Sequence, residues 1–405
     1  MRSSQHKLGD ITIGIIIVLL VSMGQFNNTL FIPSLPHMSV PLGTSDSLLQ
    51  LSVTLTLFAF GFSQLIYGPL SDYYGRKPIV TAGLIIFLFG NLVCYQALSG
   101  AVFLTGKVIT GLGVGCVGPI ARAIIRDLSG GKKLVKMMGV LVMFMSITPA
   151  ISPLLGGAIQ GYLGWRYNFL ALSVFAFIFT LFVYVRLPET NSHKHDVDNR
   201  LDFSSLIHNY RLVITHGEFL RMSLLNMLGY SAELVFLLSS SFILQDNFKL
   251  PPQQFGLIPL LIVPCVMVGN SLVAKLSSFL SVTMICAVGI SFVFFGAVLM
   301  YSLSKLTVPG VFSFVIPMMI VALGEGIITP SSTARCMDLF GHKAGYAGAA
   351  IGAMAMIGAG IIIGLSTFNP LHSSSEVSIA LLVISIILLV LCFINFKKNN
   401  MEITS

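Results

Sequence analysis

"YGPLSDYYGRKPIV" (residues 67–80) is a short charged loop set between two long apolar runs. Gly68 and Gly75 permit tight turns where a helix stops, and Pro78 suits the first turn of the next helix. Asp72, Arg76 and Lys77 place a fixed charge cluster between those turns. On either side the chain stays oily for about 20 residues, the length that crosses the hydrocarbon of a bilayer. Taken alone, the stretch is either an ordinary polar loop with topogenic charge or a working ion-pair site.

The same alternation continues in both directions. Of 405 residues, 55% are hydrophobic and 9% charged, against about a quarter charged in a soluble protein. Mean hydropathy is +0.91. Twelve membrane helices are predicted, near 11–33, 48–68, 79–98, 101–125, 135–158, 166–187, 218–242, 254–274, 280–303, 309–331, 345–367 and 376–396. The expected fold class is therefore an all-α membrane protein. No small-x-small cleavage site follows the first run, "ITIGIIIVLLVSMG", so it reads as a retained helix and not a secretory signal. The joins at "LSG" and "GYLGW" are short, which favours antiparallel neighbours.

The longest polar segment, 188–217, leaves six predicted helices on each side, in 1–187 and 218–405. Equal halves about a linker suggest a duplicated transporter with a site at the repeat interface. The remaining loops are too short for a soluble catalytic domain, so an enzyme is not expected.

The net charge is +8, from 23 Lys and Arg against 15 Asp and Glu. Eighteen of the basic residues fall on the side of the N-terminus and three (Arg166, Lys249, Lys305) on the other, a positive-inside pattern with both termini cytoplasmic. The basic charge thus faces anionic lipid headgroups, and no nucleic-acid partner is needed. The six cysteines lie singly in or beside apolar runs without a CxxC pair, so neither disulfides nor structural zinc are expected. "HKH" (193–195), in the charged linker, is not read as a metal site. "GLGVG" (111–115) reads as helix packing and not as a phosphate loop, and the small residues of "GYAGAAIGAMAMIGAG" (345–360) suit close helix packing.

The loop at 67–80 closely resembles the signature of the major facilitator superfamily, G-x-L-x-D-x-x-G-R-K-x, through Gly68, Leu70, Asp72, Gly75, Arg76 and Lys77. The resemblance implies two pseudo-symmetric six-helix bundles. It also implies a latch in which Asp72 meets a basic residue at the cytoplasmic end of helix four, matched here by Arg122 or Arg126 in "ARAIIRDL", and the start of helix eleven. Helix five carries "SITPAISPLLGGAI", similar to the antiporter pattern G-P-x-x-G-G with Ser152 where glycine is usual. Pro149 and Pro153 remove backbone hydrogen bonds and bend the helix, while Gly156 and Gly157 let a neighbour approach, so the four are expected to form a hinge in helix five. "GWRYNF" (164–169), "LPET" (187–190) and the seventh-helix region, with Ser240, Ser241 and Phe242 where S-P-F is usual, resemble the bicyclomycin-resistance-like drug exporters. That branch implies a bacterial inner (cytoplasmic) membrane.

Ionisable residues inside spans cost about 2.5–3.5 kcal/mol each on insertion scales and are functional candidates by default. Lys107, Glu233 and Glu325 qualify, joined by Gln25, Asn27 and Asn28 of helix one and by Tyr230, one turn before Glu233. They fall on helices one, four, seven and ten, which by resemblance line the central cavity. At about 1.5 Å per residue, Asn27, Asn28, Lys107 and Glu233 are expected in the middle to outer half, and Glu325 lower as a lone acid. Bland readings stand beside these. Lys107 can snorkel to the outer surface, Glu325 can serve hydroxyls at its helix end, and Tyr230 can sit at the lipid interface. Lys107 and Gly111 occupy the family's R-x-x-x-G positions, with lysine for arginine. "NNTLFIPSLP" lacks the acid common near the end of helix one, so any proton coupling falls to Glu233 or Glu325. The second-half counterpart of the signature, "NSLVAKLSSF", has also lost its acid.

The leading expectation is a monomeric secondary transporter that exports a small drug-like molecule or metabolite by proton antiport and rocker-switch alternating access. It uses the proton gradient and no cofactor. Export of an anionic metabolite or carboxylate siderophore, and uptake of a small solute, are the alternatives.

Overall fold

A computed structural model describes residues 2–191, 203–305, 310–340, 344–368, 371 and 373–394. The pair at 193 and 195 lies outside these residues. Twelve helices among those described are long and apolar enough to span a membrane. They are numbered in chain order: helix one Ile11–His37, two Asp46–Tyr74, three Arg76–Tyr95, four Gly100–Leu128, five Lys136–Tyr162 and six Arg166–Arg186. The second six are seven Gly217–Asn247, eight Pro252–Leu276, nine Val282–Ser304, ten Val311–Asp338, eleven Gly345–Thr367 and twelve Ser374–Phe393. Helices suit hydrocarbon because each satisfies its own backbone hydrogen bonds.

Local chemistry sets where they begin and end. Ser45, Ser99 and Ser281 cap helices two, four and nine by accepting a backbone N–H three residues on. Ser373 and Glu376 form a reciprocal capping box at helix twelve. Helix one is α-helical to Thr29 and closes in a 3-10 turn, Ile32–His37, containing Pro33 and Pro36. Gly75 separates helices two and three at φ +103°, a left-handed conformation that glycine tolerates and side chains resist.

The chain divides into two compact units, Met1–Leu201 with Gln245–Leu260, and Asp202–Leu244 with Leu261–Ser405. These bounds differ from an even split about a linker in two ways. First, 245–260 packs within the first unit. An added Cβ on Gly157 would lie 2.3 Å from the Pro252 carbonyl oxygen, one on Gly256 would lie 2.5 Å from that of Pro153, and Gln245 Nε2 donates to Pro33 O at 3.0 Å. Second, part of 188–217 is itself a helix, Phe203–Thr215. It belongs to the second unit, where Tyr210 meets Tyr346 of helix eleven edge-on at 5.3 Å and Val213 is fully buried.

Candidate functional site

In the first unit, Lys107 is 1% exposed. Its Nζ lies 3.9 Å from the centre of the Phe31 ring, a cation–π contact with the end of helix one. Phe31 in turn packs against Phe169. Thr56 of helix two and Thr110 donate to the Lys107 carbonyl at 3.3 and 2.8 Å. The snorkelling expectation is overturned: the side chain turns inward to an aromatic face, which holds a cation without another charge. Among the described residues no carboxylate pairs with it. Nearby on helix one, Asn27 and Asn28 are buried, and Asn27 Nδ2 donates to Asn28 Oδ1 at 3.1 Å. Gln25 is only partly buried. Ser22 and Thr148 join helix one to helix five at 3.2 Å.

Helix five runs unbroken through Pro149 and Pro153. Gly156 allows the Leu30 carbonyl to sit where a side chain would be, since an added Cβ would meet that oxygen at 1.7 Å. Gly157 and Gly156 thus serve two different neighbours, Pro252 and the end of helix one.

In the second unit, helices seven and ten run antiparallel and meet at three levels. Glu218 faces Arg335 at 3.5 Å. Asn226 Nδ2 donates to Thr329 O, Ser332 Oγ and Thr333 Oγ1 at 3.2, 3.4 and 3.1 Å. Glu233 then falls level with Glu325. Glu325 is 5% exposed. Its Oε1 accepts from Thr329 Oγ1 at 3.2 Å, a hydroxyl inside helix ten and not at its end, while Oε2 accepts no hydrogen bond.

The expectation that Glu325 stands alone and lower is corrected. Glu233 lies twelve residues past Arg221 and Glu325 ten before Arg335, and both counts start from the same end of the unit. Two residues of difference are about 3 Å, so the acids are level. Glu233 and Tyr230 are partly buried.

The signature loop builds a clasp at one end of the first unit. Arg76 is 3% exposed. Its guanidinium pairs with Asp72 one turn earlier and, at 3.0 Å, with Asp127 at the end of helix four. Nη1 also donates to Ser71 at 2.7 Å. Glu189 of "LPET" accepts the backbone N–H groups of Arg76 and Lys77 at 2.8 and 3.3 Å, placing a carboxylate on the N-terminus of helix three. Gly75 makes room for it: an added Cβ would overlap the Glu189 carboxylate. Lys77 lies over the Tyr184 ring at 5.2 Å. Gly68 lies inside helix two and not at a turn where it stops, a correction to the sequence reading, and an added Cβ on it would lie 4.0 Å from Pro119 Cβ. Of the two basic residues at the end of helix four, Arg122 is partly buried and Arg126 exposed. The acid between Arg126 and Leu128, Asp127, is the one tied to the loop.

The second unit has a counterpart that no contiguous motif announces. Arg221 of helix seven is 7% exposed. It holds Glu218 with Nε and Nη2 at 3.1 and 3.0 Å. It also donates to Cys392 O of helix twelve at 2.8 Å and to Thr283 of helix nine at 3.3 Å. Sequence reading missed Glu189, Asp127, Glu218, Arg221, Asn226 and Thr329 as site residues. The available signal was their polarity at helix ends and on helices already carrying acids.

The Major Facilitator Superfamily model matches residues 16–367. The chain is 26% identical over 389 residues to Multidrug resistance protein D of Escherichia coli, covering 95% of each. To a Bicyclomycin resistance protein homolog of Haemophilus influenzae it is 26% identical over 248 residues, covering 61% of this chain and 60% of that one. The crystal structure of a D-xylose-proton symporter superposes with a TM-score of 0.75 at 13% identity, over 96% of this chain and 98% of the other. That likeness shows the fold. Twelve membrane helices, a complete signature loop and a family match over most of its length place this chain in the Major Facilitator Superfamily, as a multi-pass membrane transporter of small molecules related to bacterial drug-resistance carriers.

Proposed function

We propose that the protein exports drug-like compounds in exchange for protons, as a monomer in a bacterial inner membrane with both termini in the cytoplasm and no cofactor. The observation that carries this reading is the level pair Glu233 and Glu325 on helices seven and ten, neither of them in an ion pair with a cation among the described residues. A buried carboxylate and a partly buried one at the same level repel, and a proton taken up between them removes the repulsion. A cationic or weakly basic drug relieves the same repulsion, so drug and proton compete for one pair of charges. That competition is the chemical basis of exchange. Relatives named for multidrug and bicyclomycin resistance support a drug as the exported compound.

Reconstituted protein tests it through drug-dependent proton flux. Glu325→Gln and Glu233→Gln are expected to lower the coupled flux at least tenfold, with drug binding retained at high pH. Coupled flux surviving in both variants would sink the reading. Net accumulation of labelled drug in intact cells would instead mark an uptake carrier.

A second reading rests on Lys107. A buried ammonium held only by an aromatic face keeps its charge available to a carboxylate or other anionic cargo. Selective loss of anion transport in Lys107→Met, with drug transport intact, would favour it over the first.

A further inference from the structure

Glu325 is held by a chain of hydrogen bonds that starts on another helix. Thr329, one turn further along helix ten, donates its hydroxyl to Glu325 Oε1 at 3.2 Å. The Thr329 carbonyl in turn accepts from Asn226 Nδ2 of helix seven at 3.2 Å. Asn226 is 6% exposed, and its amide also reaches Ser332 and Thr333. It therefore fixes a full turn of helix ten, the turn that carries the Thr329 hydroxyl. The helices touch closely on the same face, where an added Cβ on Gly229 would lie 3.7 Å from Thr329 Oγ1 and 3.8 Å from Glu325 Cγ. A rotation of helix ten that moved Glu325 away from Glu233 would have to break the Asn226 bonds.

We propose that Thr329 and Asn226 are positioning residues for Glu325. Thr329 orients one carboxylate oxygen, and Asn226 locks Thr329 in place, leaving Oε2 as the oxygen that takes the proton. This rests on the proton reading of Glu325 given above. A hydroxyl donating to a carboxylate favours its charged form. Without that donor, Glu325 keeps its proton to a higher pH.

The helices packed against helix ten carry few titratable groups: Glu218, Arg221, Tyr230, Glu233 and Asp246 on helix seven, Cys265 and Lys275 on helix eight, Cys286 and Tyr301 on helix nine, and Tyr346 on helix eleven. Of these, Glu233 is the acid level with Glu325.

The test is an infrared pH titration of the purified full-length protein, with the Glu325 carboxyl band identified by its loss in Glu325→Gln. Thr329→Val is expected to move the midpoint up by about one pH unit. Thr329→Ser, which keeps the hydroxyl, should titrate as wild type. Asn226→Ala should move the midpoint in the same direction by less. Drug-dependent proton flux across pH is measured in parallel on the same variants and should follow the infrared midpoints.

Wild-type midpoints in both Thr329→Val and Asn226→Ala, whatever happens to the maximal rate, would overturn the proposal and leave these residues a packing role. A flux that ignores pH while the infrared midpoints still move would remove the proton reading alone and leave the positioning intact.

Discussion

The two units gather their helix ends around a buried arginine, but they recruit it from different places. In the first unit it is Arg76, the first residue of helix three in a stretch of consecutive signature residues, paired with Asp72 and Asp127. In the second it is Arg221, one turn into helix seven, paired with Glu218 and bonded to helices nine and twelve. The second-half counterpart of the signature, "NSLVAKLSSF", supplies no acid for the task. The need is thus for a guanidinium whose fixed fork of donors bridges several segments. The signature loop is one way to meet it, and Arg221 is another.

The comparison predicts unequal losses. Removing Arg76 strands Asp127, whose side chain is 16% exposed, and takes one partner from the half-exposed Asp72. Breaking a buried pair from one side is costly because the partner charge stays behind. With the exposed share discounted, Arg76→Ala is expected to cost about 3 kcal/mol in reversible denaturation in mixed micelles. Arg221→Ala strands less, since Arg335 still reaches Glu218 at 3.5 Å. Its cost is expected to be about 2 kcal/mol, mostly from the unsatisfied carbonyl of Cys392 and the lost Thr283 bond. A larger loss in Arg221→Ala than in Arg76→Ala would reverse the ranking and show that the scattered clasp is the stronger one.

The same contrast explains what the sequence discloses. A loop of consecutive residues can be read, so Gly68, Asp72, Gly75, Arg76 and Lys77 point to the family and to two six-helix halves before any coordinates. Twelve spans follow as directly, because a bilayer imposes length and apolarity on each one separately. Arg221, Glu218, Thr283, Cys392 and Arg335 are spread over four helices and 175 positions, and only packing brings them together. Glu189 sits in a quoted tetrapeptide, yet its partner is a pair of backbone N–H groups 113 and 112 residues earlier, which no side-chain pattern encodes. The acids show an intermediate case. Their burial and their helices were legible, but their being level required comparing distances from the same end. Lys107 is legible as a membrane-embedded cation at the family's helix-four arginine position; the ring of Phe31 that receives it comes from the end of helix one.

Gly75 sharpens the comparison from the backbone side, because the second unit has no equivalent glycine in its clasp. At φ +103° an alanine is strained, and its Cβ would overlap the Glu189 carboxylate. Gly75→Ala is expected to cost about 1.5 kcal/mol. Adding Glu189→Ala to it should recover the steric part and leave the backbone part, so the double variant separates the two. Equal denaturation midpoints for Gly75→Ala with and without Glu189 would show that strain, and not the carboxylate cradle, requires the glycine.

The smallest effect belongs to Arg335. Its side chain is 41% exposed, and it reaches a carboxylate already held by Arg221. Exposed ion pairs are worth about 0–1 kcal/mol because water and salt screen them. Arg335→Ala should therefore change the denaturation midpoint by no more than about 0.5 kcal/mol, and that change should vanish at high salt. In an Arg221→Ala background the outcome differs: Arg335 is then the only cation left on Glu218 among the described residues, and its removal should cost about 1 kcal/mol more than in the wild type. That coupling measures how far the second clasp is shared between two arginines. If Arg335→Ala costs the same in both backgrounds, Glu218 does not bridge them, and Arg221 alone is the second unit's answer to Arg76.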